Sequence, residues 1–175
     1  MLPLVTPRLV LRQPTEADLQ VFHEIHNEPE VTRIIVGGIR PDGGLELAWR
    51  NLAMLIGHWQ LRGFGAWVVE ERATGAVIGR VGYWQSVTWP GIELGWMIRK
   101  SRTGQGFATE AAHRAIAWAR AETTIDRIIS LILPDNAPSI RIATKVGERH
   151  ERDIEVGGRM HHLYALNLDR HPGGC

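Results

Sequence analysis

Arg99-Lys-Ser-Arg-Thr-Gly-Gln-Gly-Phe-Ala-Thr-Glu-Ala-Ala-His113 is the stretch on which the reading of this 175-residue chain turns. Before it, Gly91-Ile-Glu-Leu-Gly-Trp-Met-Ile98 is a short apolar segment that reads as a buried strand. Behind it, Ala108, Ala111, Ala112, Ala115, Ile116 and Ala119 recur at three- and four-residue steps, one face of a helix. Gly104 and Gly106 therefore fall in a strand-to-helix turn at a helix N-terminus. There the first N–H groups lack intrahelical acceptors, and the helix dipole concentrates positive charge. Glycines admit a ligand to the backbone, and Arg99, Lys100 and Arg102 add cationic side chains. The turn suits a phosphate or pyrophosphate. The plainer alternative is a tight turn whose basic residues form a solvated rim.

Two other phosphate loops fit poorly. A P-loop needs Gly-x-x-x-x-Gly-Lys-Ser/Thr, whereas Lys100-Ser101 precedes the glycines. A dinucleotide fingerprint wants Gly or Ala where Thr109 stands, and Asp126 opens the next strand instead of closing one.

Thr103-Gly-Gln-Gly-Phe-Ala108 instead resembles the acyl-coenzyme A pyrophosphate loop of the GNAT N-acetyltransferase superfamily, Gln/Arg-x-x-Gly-x-Gly/Ala. It matches at Gly106 and Ala108 and departs at Thr103, which removes one long polar side chain. The extension to Ala111 resembles the branch that acetylates ribosomal-protein N-termini, as does the opening Thr6-Pro-Arg-Leu-Val-Leu-Arg12 followed by Asp18-Leu19. A second block, Asn136-x-x-Ser139 with Lys145-x-Gly147, is also similar to the family. The resemblance implies an α+β (mixed α/β) fold: a single domain over residues 1–175, with a mostly antiparallel sheet of six to seven strands and about four helices on both faces. It implies acetyl-CoA as co-substrate and an amine acceptor, a peptide or protein N-terminus or a small molecule. The implied coenzyme-binding set is Met97, Ile98, Arg99, Arg102, Thr103, Gly104, Gln105, Gly106, Phe107, Ala108, Thr109, Asn136, Ser139 and Lys145. In relatives the Asn contacts the pantetheine arm and the Ser lies near the thiol.

Composition agrees with one soluble globular domain, able to bury roughly two thirds or more of its unfolded surface. A net charge of +1 gives no nucleic-acid footprint. No apolar run approaches the ~20 residues of a membrane span, and Met1-Leu-Pro-Leu-Val-Thr6 lacks a signal peptide's regions, so the expected location is the cytoplasm. Cys175, the lone cysteine, follows His171-Pro-Gly-Gly at the C-terminus. It makes neither an internal disulfide nor a good nucleophile, and no Cys/His spacing suggests a metal.

Arg8–Gln13 alternates as a strand. Thr15-Glu-Ala-Asp18 starts a helix with a partial capping box. Residues 29–44 read as a loop or broken helix, either a connector or, by the resemblance, part of the acceptor cleft with the 155–160 hairpin. Leu45, Ala48, Leu52, Leu55 and Trp59 mark a second helix. Phe64–Glu70 and Val77–Tyr83 form a hairpin, in which Gly79 and Gly82 mark a bulge or a close backbone approach. Trp67, Trp84, Trp89 and Trp96 are expected mostly to fill the core. Asp126–Leu133 reads as a strand covered on both faces. Asn136 then caps a helix that Gly147 stops, and Ser139 shares that helix's inward face with Ile142, Ala143 and Val146. Arg149–Val156 and Met160–Leu168 flank a Gly157-Gly158 turn. His161 and His162 alternate across their strand, cannot share a metal, and read as surface or cleft residues.

Glu93 is a carboxylate in an otherwise apolar strand, which requires a cleft mouth, a hydrogen bond or partial protonation. It reads either as a structural partner of Arg80 or as a general base with a raised pKa. For the implied reaction, Ser139 is the proton donor to the leaving sulfur, and a main-chain N–H near Met97 or Ile98 polarises the carbonyl. Without a cysteine nucleophile, direct transfer is expected. The competing readings are a non-catalytic acyl-coenzyme A sensor and a nucleotide-phosphate enzyme. Monomer and homodimer both remain open at this point.

Overall fold

A computed structural model describes residues 2–29, 31 and 44–168 of the chain. The expectations for residues 29–44 as an acceptor loop, beyond Pro29, Val31 and Gly44, and for Cys175 lie outside the described residues.

In chain order, β1 (Leu4–Val5) and β2 (Leu9–Arg12) lead into a 3-10 turn at Glu16–Asp18 and α1 (Leu19–His26). After α2 (Gly44–Arg62) come β3 (Ala66–Glu71), β4 (Val77–Trp84) and β5 (Glu93–Ile98). A second 3-10 turn, Lys100–Arg102, precedes α3 (Phe107–Glu122), β6 (Arg127–Ile132), α4 (Ala137–Lys145), β7 (Arg149–Val156) and β8 (Arg159–Asn167). Among the described residues, eight strands join one sheet in the order β1-β2-β3-β4-β5-β6-β8-β7, against the six to seven expected. Every pairing is antiparallel except β5 with β6.

Both faces of the sheet are covered. Ala111, Ala112, Ala115 and Ala119 of α3 are fully buried, because methyl-sized side chains let the helix lie close on the strands. The same cluster holds Trp59, Trp67 and Trp118 and reaches Val146 behind α4. On the other face Phe22 of α1 and Leu52 and Leu55 of α2 pack on Ala66 and Val68. Leu45 departs from its expected inward face and is exposed.

Asp18 shows how the ends are fastened. Its carboxylate accepts the Thr15 N–H at 2.8 Å, the reciprocal half of a capping box, and two Arg12 hydrogen bonds at 2.9 and 2.7 Å. That ion pair ties β2 to α1. Burial alone would raise the Asp18 carboxyl, but these bonds outweigh it and hold the pKa below its ordinary value.

The parallel β5–β6 ladder carries a single register pair, Glu93 with Ile129, and Ile129 N–H donates to Ile92 O at 2.9 Å. Beyond it the strands part. Leu94 O, the next acceptor in a parallel ladder, takes the Ser130 hydroxyl at 2.7 Å. This split positions the site.

Candidate active site

The turn between β5 and α3 is built around two left-handed glycines, Gly104 at φ +77° and Gly106 at φ +82°, the latter the N-cap of α3. L side chains rarely adopt that conformation. Glu110 N–H is the first amide of α3 to find a carbonyl, Gly106 O at 3.0 Å. Among the described residues the N–H groups from Gly104 to Thr109 have no acceptor recorded. Nothing lies within 4 Å of where a Gly104 Cβ would stand. An exposed row of free donors at a helix N-terminus has the chemistry for a diphosphate.

Arg8, from the far edge of the sheet, braces this turn. Its Nη1 donates to Gln105 O at 3.0 Å, its Nε to Glu110 Oε2 at 2.6 Å, and its guanidinium lies 4.4 Å from the Phe107 ring centroid. Thr6 Oγ1 adds a bond to Glu110 Oε1 at 2.6 Å.

A cavity of about 360 Å³ occupies the β5–β6 split. It passes through the sheet. Arg80 and Glu93 line it on the side of α1 and α2, while Trp96, Asn136 and Ser139 line it on the side of α3 and α4. Trp89 Nε1 donates to Glu93 Oε2 at 2.7 Å. Burial pushes the Glu93 carboxyl up to about 7, against the lowering effects of the Trp89 bond, the Arg80 charge and the Leu131 main chain. Across the split, Trp96 Nε1 donates to Ser139 Oγ at 3.2 Å. That bond fills an acceptor position of the hydroxyl and leaves its proton available to the cavity.

Residues 8–149 match the family model described as an acetyltransferase (GNAT) domain. This chain belongs to the GNAT acetyltransferase family. It is 29% identical over 171 residues to the uncharacterized N-acetyltransferase p20 of Bacillus licheniformis, covering 94% of each chain. Its fold matches an acetyltransferase from Agrobacterium tumefaciens at a TM-score of 0.83 and 26% identity, over 95% of both chains. In fold alone it is similar to a ribosomal-protein-S5-alanine acetyltransferase from Vibrio fischeri (TM-score 0.79, 17% identity, 97% and 98% covered). Also similar in fold is Mycobacterium smegmatis RimJ in complex with CoA-disulfide (0.80, 21%, 99% and 93%).

Within this GNAT acetyltransferase the expected site residues occupy several places. Gly104, Gln105 and Gly106 are exposed in the turn with Thr103, while Phe107 is buried and Ala108 and Thr109 are half-buried in the first turn of α3. Arg99 points to α1, with Nη2 3.5 Å from Glu24 and Nε 3.9 Å from Glu28, and Arg102 Nη2 lies 3.3 Å from Glu71. Asn136 caps α4, accepting Ser139 N–H at 3.3 Å, while Lys145 is exposed in the last turn of that helix and does not line the cavity. Gly147 and Glu148 N–H close α4 on Thr144 O and Ala143 O, the expected glycine stop.

The ladder also separates Met97 from Ile98. Arg99 N–H donates to Ile78 O at 2.8 Å, and antiparallel bonding alternates, so Met97 N–H faces β4 and Ile98 N–H faces the split. Met97 packs its side chain on Ile25 and Val31.

Several expectations need correction. Of the four tryptophans expected mostly to fill the core, only Trp67 is fully buried; Trp96 and Trp89 pack against core clusters and also hold cavity residues, and Trp84 stacks on His58. Arg80 makes no ion pair with Glu93 among the described residues, and acts on it only through its charge. His161 is fully buried, with Nδ1 2.9 Å from Arg159 O, whereas His162 is half-buried.

Sequence reading missed Glu148. It is 2% exposed, and its Oε1 lies 2.9 Å from Ser130 Oγ. Burial pushes its carboxyl up to about 8 against the Ser130 bond, with the Glu93 charge adding to the rise. Protonated, it donates to Ser130, whose own proton goes to Leu94 O. One buried acid thus orients the hydroxyl that holds the strands where they part. A residue outside any motif offers no sequence signal for this.

Proposed function

We propose that this GNAT acetyltransferase moves an acetyl group from acetyl-CoA directly to a primary amine, on a peptide or protein N-terminus or a small molecule, and works in the cytoplasm. The observation that carries the reading is Glu93: a carboxyl with a pKa of about 7, fixed by Trp89, inside a cavity that Ser139 lines from the opposite side. The free amides of residues 104–109 fit a diphosphate, and Mycobacterium smegmatis RimJ, similar in fold, is in complex with CoA-disulfide.

Acetyl-CoA supplies an acyl carbon already activated as a thioester: the amine nitrogen bonds to that carbon, the C–S bond breaks, and the electron pair leaves on sulfur. The chain's residues handle the protons. Glu93 accepts the proton of the acceptor ammonium, and a group with pKa about 7 is well matched to an α-amine near 7.7–8.0, less so to a lysine near 10.4. Ser139, held by Trp96, gives its proton to the leaving sulfur and takes up the second proton that the nitrogen loses as the amide forms. Ile98 N–H is the main-chain donor for the carbonyl oxygen.

Free thiol is measured on mixing the protein with acetyl-CoA and a panel of peptides, amino acids, polyamines and aminoglycosides. Amine-dependent thiol release in wild type and its loss in Glu93→Gln support the reading. Calorimetric binding of acetyl-CoA without release for any amine makes the chain an acyl-coenzyme A sensor instead.

A further inference from the structure

The half of the cavity on the α1–α2 side is defined by the pairing of β4 with β5. Arg80 stands opposite Met97, Gly82 opposite Gly95, and Trp84 opposite Glu93. Residues paired across an antiparallel ladder share a face, so these three rows line one surface. The middle row carries no side chains. Nothing lies within 4 Å of a Cβ built on Gly95, whereas one on Gly82 would strike Gly65 O at 2.5 Å. The result is a bare floor with a cation at one end and a carboxyl at the other.

The cation is unspent. Arg80 makes no hydrogen bond or ion pair with any described residue, and its Nε is buried without a partner. A guanidinium carries five donors in a planar fork and stays charged in proteins. Half-buried and unpaired, such a group has as its natural complement a carboxylate taken in two parallel hydrogen bonds. It is not alone. His26 of α1 has both ring nitrogens buried and unpartnered, burial lowers its pKa to about 4 so that it is neutral, and Asn51 Nδ2 of α2 is likewise orphaned. All three line the same cavity as Glu93. Orphaned buried polar atoms are rare in native proteins, and several around one opening mark groups reserved for a ligand.

We infer that the acceptor is an amine that also carries a carboxylate, an amino acid in the broad sense, bound with its carboxylate on Arg80, within reach of Asn51 and His26, and its nitrogen toward Glu93 across the Gly82–Gly95 floor. The inference rests on the reading of Glu93 as the base and adds the other end of the acceptor. A neutral or purely cationic amine would leave the half-buried Arg80 uncompensated, and a cationic one would also be repelled.

The test compares matched acceptors on the unaltered enzyme: α-, β- and γ-amino acids and dicarboxylic amino acids against their carboxamides, by thiol release. Expected is a kcat/KM at least tenfold higher for the carboxylate member of one or more pairs, the discrimination typical of a lost charged hydrogen-bond pair. Arg80→Gln is expected to abolish that preference chiefly through KM, and Arg80→Lys to restore part of it, with thermal melts confirming that both fold. Equal kcat/KM within every pair overturns the inference. Calorimetry of the same pairs in the presence of coenzyme A reads the contact without turnover. Arg80-dependent carboxylate binding with no acetyl transfer sustains the inference and defeats the catalytic reading; transfer to carboxamides as fast as to carboxylates does the reverse.

Discussion

Trp89 Nε1 donates to Glu93 Oε2 at 2.7 Å, so the carboxyl proposed as the base is held by an indole from the loop just before its own strand. The bond favours the ionised form while burial opposes it, and the balance is a group near 7. Such a base is active when deprotonated, so kcat/KM should rise with pH up to about 7 and then flatten. Glu93→Gln should lower kcat by about 10²–10⁴ and erase that inflection, with acetyl-CoA affinity unchanged by calorimetry. An inflection near 7 that survives the substitution assigns it to another group.

Gly106 sits at φ +82° and leaves its neighbours' amides facing outward. In Gly106→Val a β-branched residue cannot hold that conformation, the amides turn away, and coenzyme affinity should fall at least tenfold in a protein that still melts cooperatively. Arg8→Ala, which removes the brace on Gln105 O and Glu110, should weaken the coenzyme less and leave kcat at saturation alone. Wild-type titrations for Gly106→Val would falsify the phosphate-loop assignment.

Ser139 takes a hydrogen bond from Trp96 Nε1 at 3.2 Å. Trp96→Phe keeps the ring's bulk and removes the donor, leaving the hydroxyl free to rotate. Turnover should fall about tenfold, a fraction of the usual acid–base contribution, with little change in coenzyme affinity. Ser139→Ala should match it, and the double variant should be no worse than either single one, because both act on one proton.

Glu148 holds its proton up to about pH 8 in the folded chain, whereas the unfolded chain releases it in the ordinary carboxylate range. Between those limits the folded state binds more protons, so stability declines as pH rises through the window. Urea melts from about pH 7 to 8.5, above the range where the depressed histidines titrate, should show that decline in wild type and a shallower one in Glu148→Gln. Below about pH 7 Glu93, whose shift has the same sign, adds to the decline, while His26, His58 and His161, whose pKa values burial lowers, oppose it.

Asp18 behaves in the opposite way. Its pKa is depressed by Arg12 against the effect of burial, so its contribution is present at neutral pH and is lost as pH falls through the folded-state value. Asp18→Ala removes two Arg12 bonds and the Thr15 cap but leaves Arg12 paired with Glu70 at 3.1 Å, and should cost about 2 kcal/mol in urea unfolding at pH 7. A loss below about 1 kcal/mol would mean that the pair behaves as an exposed one.

What the chain's own pattern revealed was local. The Ala108–Ala119 periodicity, the positive-φ glycines of the turn, the Asn136 cap and the Gly147 stop each depend on neighbours within a few residues, so the sequence displays them directly. The same signals marked the four helices of the described residues, while the mostly antiparallel sheet came from the family resemblance. The two-residue β1 did not, since its place depends on register with β2. The face on which Glu93 points was legible from alternation along β5; the indole that holds it was not, because bulk is all a sequence shows of a tryptophan.

By itself, then, the sequence determined where most of the helices and strands lie, the glycine turn at the helix N-terminus, and that one carboxyl would stand in an apolar strand. Only the tertiary structure decided what meets across the sheet: Arg8 on a turn about a hundred residues later, Glu148 under Ser130, and Arg80 facing the same opening as Glu93 without touching it. The reason is physical. Dihedral preferences and side-chain periodicity act between neighbours, whereas burial, the orphaning of a polar atom and the displacement of a pKa arise only when distant segments exclude water together.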